Sequence, residues 1–176
     1  MKIKITKFIK EYQNEVQSMV FDGLNDTAKN HDNNVKLAIK NYLNRSLNED
    51  LGSIFSHYND NGIFYVAINE KCEVVGSLGA EYVDGNKFRL KRLSVKIGYR
   101  NSGIAKELLK KVEKWVKGKN GNQLILGTSE IQNKAFNFWT SNGFNLINTE
   151  ISDMGIKLYS LKKELKPKPC LLISKL

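Results

Sequence analysis

The sequence predicts a single-domain α/β fold in which helices flank a mixed, mostly antiparallel sheet. Three observations lead to this prediction. Residues 63–95 contain three strand-like stretches separated by turn signals, which is typical of an antiparallel meander. Residues 104–118 are strongly amphipathic at helical spacing. The short apolar run that follows, Leu124-Ile125-Leu126, is typical of a buried parallel strand.

Composition bounds the class of protein. With 176 residues, 41% hydrophobic and 26% charged, the chain fits one globular domain, which we place at 1–165 with a tail at 166–176. No run approaches the ~18 apolar residues of a membrane span, and the N-terminus lacks the apolar core of a signal peptide. The two cysteines, Cys72 and Cys170, have no metal-ligand or redox spacing, so we expect a cytoplasmic protein without a metal site.

The formal net charge of +10 raises the question of nucleic acid. Most of the charge is lysine spread along helices and the tail, and no aromatic residues alternate with it as a stacking platform would require. We therefore expect nucleic acid to be an unlikely main ligand. The same charge disfavours a polycationic substrate such as a polyamine, because a positive field repels it.

The N-terminal elements are predicted in order. Residues 2–9 alternate as a first strand, and a helix is expected over 11–28, interrupted near Asp22-Gly23. After a polar break, a second helix runs from Val35 toward Leu47. Residues 48–62 are interpreted as a loop that ends in a turn. His31 and His57 fall in these polar segments and are expected to be exposed.

The meander comes next, with strands over 63–68, 74–82 and 88–95 and a hairpin turn at Asp84-Gly85. The last strand changes phase, because Phe88 and Leu90 share one face whereas Leu93 and Val95 share the other. A one-residue β-bulge between Leu90 and Leu93 would bring all four to the same face.

The turn between this strand and the helix at 104–118 is the most informative stretch. A strand–turn–helix junction presents free backbone N–H groups at the positive end of the helix dipole, which makes an anion site. Gly103 allows close approach to the backbone, and Arg100 adds a charge suited to phosphate. Asn101 or Ser102 is predicted to cap the helix, and Gly118 to end it. Neither a P-loop nor a dinucleotide fingerprint is present.

The C-terminal part completes the sheet. After the strand at 123–127, Ser129-x-x-Gln132 is interpreted as a capping box for a helix that ends at Asn142-Gly143. Residues 144–151 and 156–161 are predicted to form a final hairpin. The tail contains an apolar segment, 170–173, which we expect to dock on the domain or to meet a partner chain, with a homodimer as one option.

Two motifs resemble the GCN5-related N-acetyltransferase (GNAT) family. Arg100-x-x-Gly103-x-Ala105, which follows Leu93-x-Val95, resembles the family's pyrophosphate-binding motif R/Q-x-x-G-x-G/A. Residues 133–144, Asn-Lys-Ala-Phe-Asn-Phe-Trp-Thr-Ser-Asn-Gly-Phe, are similar to its N-x-A-x-x-F/L-Y-x-x-x-G-F helix. The resemblance covers roughly 62–162, and the Thr128-Ser129-x-Ile131-Gln132 stretch is similar to a subset that acetylates amino-acid conjugates or protein lysines.

The resemblance implies a GNAT-like fold whose sheet separates between strands 87–95 and 123–127, so that acetyl-CoA inserts its pantetheine arm between them. It implies an acetyl-CoA-dependent enzyme acting on an amine acceptor. The expected acetyl-CoA-binding residues lie on the strand, the turn and the later helix: Leu93, Ser94, Val95, Arg100, Asn101, Ser102, Gly103, Ile104, Ala105, Lys106, Asn133, Phe136 and Trp139. A backbone N–H near Val95 would polarise the carbonyl, and Asn133 would hold the pantetheine arm.

The sequence departs from the family pattern at the proton-transfer positions. Trp139 stands where the family often has a tyrosine acid, and an indole N–H donates hydrogen bonds but is not a usable acid. The strand at 87–95 carries Arg89, Lys91 and Arg92 where some members carry a glutamate base. Glu81 and Glu130 are the remaining candidates, with Glu81 favoured because its strand borders the expected cleft.

Three functions remain open at this point. The first is an N-acetyltransferase for a small molecule or peptide, with an acceptor that is neutral or anionic overall because of the cationic strand. The second is a non-catalytic acyl-CoA-binding module. The third is a basic nucleic-acid-associated protein, which would explain the charge but not the two motifs.

Overall fold

Seven strands form one sheet in the order β1-β2-β3-β4-β5-β7-β6. The computed structural model describes residues 2–166, so the tail, apart from Lys166, lies outside the described residues. The strands are β1 (Lys4–Lys7), β2 (Gly62–Ile68), β3 (Val74–Asp84), β4 (Lys87–Val95), β5 (Gln123–Ser129), β6 (Asn145–Ile151) and β7 (Lys157–Glu164). Neighbouring strands pair antiparallel except β4 and β5, which pair parallel.

Five α-helices cover the two faces of this sheet. They are α1 (Gln13–Ala28), α2 (Asn33–Ser46), α3 (Ile54–Asn61), α4 (Ile104–Gly118) and α5 (Asn133–Ser141), with a π-helical turn at Leu47–Leu51 between α2 and α3. Strand β2 shows why both faces are covered. Its alternate residues Ile63, Tyr65 and Ala67 pack in the cluster of α4, and the intervening Phe64, Val66 and Ile68 pack in the cluster of α1–α3.

The parallel contact between β4 and β5 is short. It joins Lys87 to Gln123, Phe88 to Leu124 and Arg89 to Ile125, after which the two strands separate while β5 continues to pair with β7 as far as Ser129. The predicted fold, a mixed and mostly antiparallel sheet that opens between these two strands, is therefore confirmed.

The predicted bulge in β4 is present. Ser77 pairs with Ser94 and Gly79 with Lys91, so the single residue Leu78 faces both Arg92 and Leu93. Arg92 has a φ of 60°, in the left-handed region that non-glycine residues seldom adopt. The extra residue brings Leu93 and Val95 to the apolar face already occupied by Phe88 and Leu90, as the change of phase predicted.

Several local predictions in the N-terminal half were wrong. Residues 48–62 are not a loop but contain the π-helical turn, α3 and the first residue of β2, because Leu51, Ile54 and Tyr58 bury one helical stripe. Helix α1 continues through Gly23, where the missing side chain allows contact with β4. A Cβ there would lie 3.3 Å from the Ser94 hydroxyl oxygen.

The predicted helix ends also differ from the observed ones. Gly103 is the N-cap of α4 and no side chain caps it, because the Ser102 hydroxyl donates instead to the Tyr99 carbonyl. The left-handed residue after α4 is Asn120, with a φ of 60°, rather than Gly118. Ser129 makes no capping bond, so the predicted capping box is absent. The Asp84-Gly85 hairpin, the end of α5 at Asn142-Gly143 and the β6–β7 hairpin are confirmed.

Candidate active site

A cleft of about 1370 Å³ opens where β4 and β5 separate. One end is lined by the second half of β4, the turn before α4 and the start of α5. The other end is lined by α2, the π-helical turn and the loop between β6 and β7. The bulge and the short parallel contact create this space, because each moves β4 away from β5 beyond Arg89.

The turn between β4 and α4 offers unpaired backbone amides to the cleft. The first intrahelical bond of α4 runs from the Glu107 N–H to the Gly103 carbonyl at 3.1 Å, so the amides of Ile104, Ala105 and Lys106 have no acceptor within the helix. These amides lie at the positive end of the helix dipole. The turn is therefore an anion site that a pyrophosphate fits.

Gly103 is required at this turn by the backbone itself. Its φ is 84°, and a Cβ built there would meet no heavy atom within 4 Å. Gly103 is one of the residues that line the cleft. A glycine at this point relieves the backbone strain of the turn and keeps that part of the cleft free for a ligand.

Arg100 is held by α1 instead of pointing freely into the site. Its guanidinium donates to the Asp26 carboxylate at 2.6 Å and to the Gly23 carbonyl at 3.4 Å. The charge that the sequence predicted to suit phosphate is therefore engaged by an ion pair in this structure. Arg100 joins the turn to α1, while the amides at 104–106 keep no acceptor within the helix.

The structure brings most of the expected acetyl-CoA-binding residues to one cleft. Those that line it are Leu93, Ser94, Val95, Arg100, Asn101, Gly103, Ala105, Lys106, Asn133 and Trp139. Three others do not. The Ser102 hydroxyl makes a hydrogen bond within the turn, and the Ile104 side chain is buried in the core cluster that α4 packs in. The Phe136 ring packs on Tyr159 with ring centroids 4.9 Å apart. Of these three, Ile104 still offers its backbone amide.

The backbone of Val95 is oriented toward the gap. The Lys96 N–H donates to the Val75 carbonyl on β3 at 3.0 Å. Because successive amides of a strand point in opposite directions, the Val95 N–H points away from β3, toward the side on which β5 has separated.

Trp139 lies between the core and the cleft. Its ring is 5% exposed and makes edge contacts with Phe138 and Phe144, both with centroids 5.1 Å apart. In residues 2–166 no buried side-chain nitrogen lacks a hydrogen-bond partner. The Trp139 indole N–H makes no hydrogen bond within that part of the chain, and the residue lines the cleft.

The two carboxylates predicted as candidate bases do not line the cleft. Glu81 is bound on three sides, by His57 Nε2 at 2.8 Å, Lys91 Nζ at 3.3 Å and Arg89 at 3.7 Å. The Glu130 carboxylate accepts a 2.8 Å bond from the Lys157 backbone N–H. His57, expected to be exposed, is half-buried because of its contact with Glu81.

Glu49, which was not among the predicted site residues, is a carboxylate that does line the cleft. It lies on the π-helical turn, 42% exposed, 3.4 Å from the Arg45 and Arg92 guanidinium nitrogens and 3.7 Å from Lys91 Nζ. The segment had been interpreted as a loop, so nothing placed Glu49 near the site. The helical spacing of Leu47, Leu51 and Ile54 was the signal that could have found it.

Cations dominate the far end of the cleft. Arg45, Arg89 and Lys91 line it together with Glu49 and the Tyr42 ring, over which the Arg45 guanidinium carbon lies 5.6 Å from the centroid. The predicted cationic strand therefore does face the cleft. These three cations and Glu49 come from α2, its following turn and β4, while Glu150 and Asp153 of the β6–β7 hairpin line the same cleft.

Comparisons with known proteins agree with this geometry. The Acetyltransferase (GNAT) family model matches residues 33–144. Among curated proteins, human N-acetyltransferase 8B is 34% identical over 110 residues, 58% of this chain and 48% of that protein. N-acetylaspartate synthetase of Danio rerio is 31% identical over 112 residues, 62% of this chain and 39% of that protein. The chain thus spans half or less of these relatives' length.

Solved structures share the whole fold. An acetyltransferase of the GNAT family from Staphylococcus aureus has a TM-score of 0.76 and 26% identity, and covers 94% of this chain and 100% of its own. The PaiA N-acetyltransferase of Thermoplasma acidophilum, crystallised with coenzyme A, has a TM-score of 0.75 at 22% identity, over 93% of this chain and 99% of that one. The chain belongs to the GNAT acetyltransferase family, which uses acetyl-CoA. No helix within residues 2–166 is long and apolar enough to cross a membrane.

Proposed function

We propose that this protein transfers the acetyl group of acetyl-CoA to a primary amine of a small molecule or peptide. The observation that carries the proposal is the cleft itself, in which an anion-binding turn and an outward-facing strand amide border one gap in the sheet. Acetyl-CoA supplies an activated thioester when it is bound there. The chain's own groups hold acetyl-CoA in place, polarise its thioester carbonyl and exclude water from around it.

Each group has a proposed task. The amides at 104–106 hold the pyrophosphate, and the Val95 N–H donates to the carbonyl oxygen as negative charge develops on it. The Asn133 side chain, on the cleft wall, holds the pantetheine arm. The proposed task of the Trp139 indole N–H is to donate a hydrogen bond to the departing sulfur without transferring a proton. A thiol with a pKa near 8.5 leaves tolerably well with that assistance alone.

The acceptor amine must lose a proton, and Glu49, Glu81 and Glu130 are the proposed acceptors of that proton, although Glu81 and Glu130 do not line the cleft. Glu49 lines the cleft and is the first candidate, acting directly or through one water. Glu81 remains a second candidate, because Lys91 lies between it and Glu49, within 3.3 Å of Glu81 and 3.7 Å of Glu49. Glu130 is the third, and its bond to a backbone amide disfavours it.

We further propose an acceptor that is neutral or anionic overall. Arg45, Arg89 and Lys91 line the far end of the cleft, so a carboxylate on the acceptor would be attracted and its amine held in the neutral form. One relative is named for acetylation of aspartate, an acidic amino acid, which agrees with this charge.

A non-catalytic acyl-CoA-binding module is the rival function, since the Glu49 carboxylate on the cleft wall lies within 4 Å of three cationic side chains. Release of free thiol from acetyl-CoA in the presence of a panel of amines tests the proposal. Amine-dependent release supports an enzyme, whereas tight CoA binding with no release from any amine supports the rival. A steep salt dependence of binding to a random duplex would instead support a nucleic-acid-associated protein.

The proposal also includes three expectations about the domain boundary, the cellular location and the oligomeric state. The domain is placed at 1–165 with the remainder as a tail. The only cysteine that the structure describes, Cys72, is free and exposed, which suits the reducing cytoplasm. A homodimer is proposed as the assembly that the apolar segment 170–173 would serve, and sedimentation with and without residues 167–176 tests it.

A further inference from the structure

A buried ion pair joins the bulge of β4 to the π-helical turn after α2. The side chains of Arg92 and Asp50 are 2% and 0% exposed. The Arg92 Nε donates to the two carboxylate oxygens at 3.0 and 3.1 Å, and a terminal guanidinium nitrogen donates to one of them as well. The contact is therefore the two-pronged kind that fixes both partners in orientation.

The surroundings complete the network. The other terminal nitrogen of Arg92 donates to the Tyr42 hydroxyl at 2.8 Å and to the Ser46 hydroxyl at 2.7 Å. The Tyr58 hydroxyl donates to Asp50 at 2.6 Å, and the Ser77 hydroxyl donates to the Arg92 carbonyl at 2.9 Å. Although Arg92 borders the cleft, its donors are already used within the protein, so it is poorly suited to binding an acceptor.

The backbone makes arginine a costly choice at this position. A φ of 60° suits glycine, whereas a residue with a Cβ, such as arginine, is strained in this conformation. A buried ion pair is itself weak evidence of stabilisation, because desolvation offsets much of the attraction. The network is better explained by the geometry that it imposes than by stability.

That geometry reaches both walls of the cleft. Arg92 is the bulged residue, so its conformation sets the path of β4 through Val95, whose N–H faces the gap. Asp50 is the neighbour of Glu49 in the π-helical turn, and Tyr42 and Ser46 are on α2. One guanidinium thus holds the strand amide and the carboxylate wall at a fixed separation.

We propose that Asp50 and Arg92 are positioning residues for acetyl transfer, which set the distance between the carbonyl-polarising amide and the wall that receives the acceptor. This inference rests on the proposed function. It predicts that loss of the pair lowers kcat while leaving the affinity for CoA unchanged, because the pyrophosphate site at 104–106 does not touch the network.

The test uses the full chain with Arg92→Gly, because glycine tolerates the left-handed conformation while the whole side chain, guanidinium included, is removed. We expect CoA affinity by calorimetry within about twofold of the parent and kcat lower by about a hundredfold, the scale that misplacement of reacting groups produces. Methylguanidinium at non-denaturing concentration should restore at least about tenfold of that loss by occupying the vacated site beside Asp50. Glu113→Gln, which removes the Lys163 ion pair away from the cleft, is the matched control and should retain kcat.

Hydrogen exchange by mass spectrometry provides a readout that does not need activity. In Arg92→Gly, and more mildly in Tyr58→Phe, amides in 90–96 should exchange faster while those in 104–110 do not. The proposal would be overturned by a folded Arg92→Gly variant that keeps the parental kcat. It would also be overturned if the variant turns over slowly but shows unchanged hydrogen exchange and no rescue by methylguanidinium. If Arg92→Gly fails to fold, the same two readouts on Tyr58→Phe decide it.

Failure of the proposed function would look different. In that case the parent chain itself would release no thiol with any amine. Unchanged exchange of 90–96 in the variants would then overturn the positioning role as well, whereas faster exchange confined to that segment would still support the pair's control of the strand geometry.

Discussion

The Arg100 guanidinium donates a 2.6 Å hydrogen bond to the Asp26 carboxylate, and this contact ties the anion-binding turn to α1. The pair is partly exposed, 30% and 36%, so its contribution to stability is small. Its importance is positional. Because Asp26 engages the charge of Arg100, the proposed pyrophosphate site relies chiefly on the backbone amides of the turn, and we expect CoA affinity to depend on Gly103.

Gly103→Val should abolish measurable CoA binding by calorimetry. The valine would occupy the open space over the turn and would also strain a φ of 84°, a cost of roughly 1–2 kcal/mol. Gly85→Val is the control, because Gly85 has a φ of 49° and open surroundings in a hairpin away from the cleft. The Gly85→Val variant should be destabilised by about as much as Gly103→Val and should keep the parental affinity for CoA. Unchanged affinity in a folded Gly103→Val variant would disprove the placement of the pyrophosphate.

The carboxylates should differ in their effect on rate. We expect Glu49→Gln to lower kcat/KM by about 10²-fold, as loss of an acid–base group commonly does. Glu81→Gln should have a smaller effect, and Glu130→Gln almost none, because glutamine can still accept the Lys157 N–H bond. A larger loss for Glu81→Gln than for Glu49→Gln would reverse this assignment.

Trp139→Phe should change turnover by less than about tenfold, below the usual effect of losing an acid–base group. Phenylalanine keeps the edge contacts with Phe138 and Phe144 and removes only a hydrogen-bond donor. Thiol release at saturating acetyl-CoA measures the effect, with calorimetry as a check that binding is intact. A thousandfold loss with normal binding would show that the indole N–H is essential to the chemistry.

Acidic acceptors should have a higher kcat/KM than spermidine, and the difference should shrink as salt rises. Arg45, Arg89 and Lys91 line the far end of the cleft, and screening by ions weakens their field. Arg89→Gln removes the most exposed of the cations on β4 and should further reduce the ratio of kcat/KM for acidic acceptors to that for spermidine. A higher kcat/KM for spermidine would count against selection of the acceptor by charge. So would kcat/KM values that do not change with salt for either the acidic acceptors or spermidine.

The Asp50–Arg92 pair should make stability depend on acid pH. Burial by itself raises the pKa of Asp50, but the Arg92 hydrogen bond and charge, with the Tyr58 hydrogen bond, bring the pKa below its ordinary value of 3.8. A carboxyl with a lowered folded-state pKa stabilises the fold above its unfolded value and loses that contribution as pH falls through the folded one. The difference in unfolding free energy between the parent and Asp50→Asn should therefore be full at neutral pH and shrink below about pH 4. A constant difference down to pH 2 would contradict this.

The sequence by itself determined the features that depend on local pattern. Helical spacing fixed α4, the change of phase in 88–95 required the bulge, and the junction before Gly103 indicated an anion site, because each follows from steric and hydrogen-bonding rules within a few residues. The family resemblance added that the sheet opens beside the bulge, a property that no local pattern contains.

Only the tertiary structure decided which distant groups meet. Arg92 pairs with Asp50 across 42 residues, and Arg100 with Asp26 across 74. Glu49 entered the site only because three buried apolar side chains wind 47–61 into helical turns against the sheet. Such contacts depend on strand register and on how helices pack over both faces, and a single sequence does not encode them as a spacing between neighbouring residues.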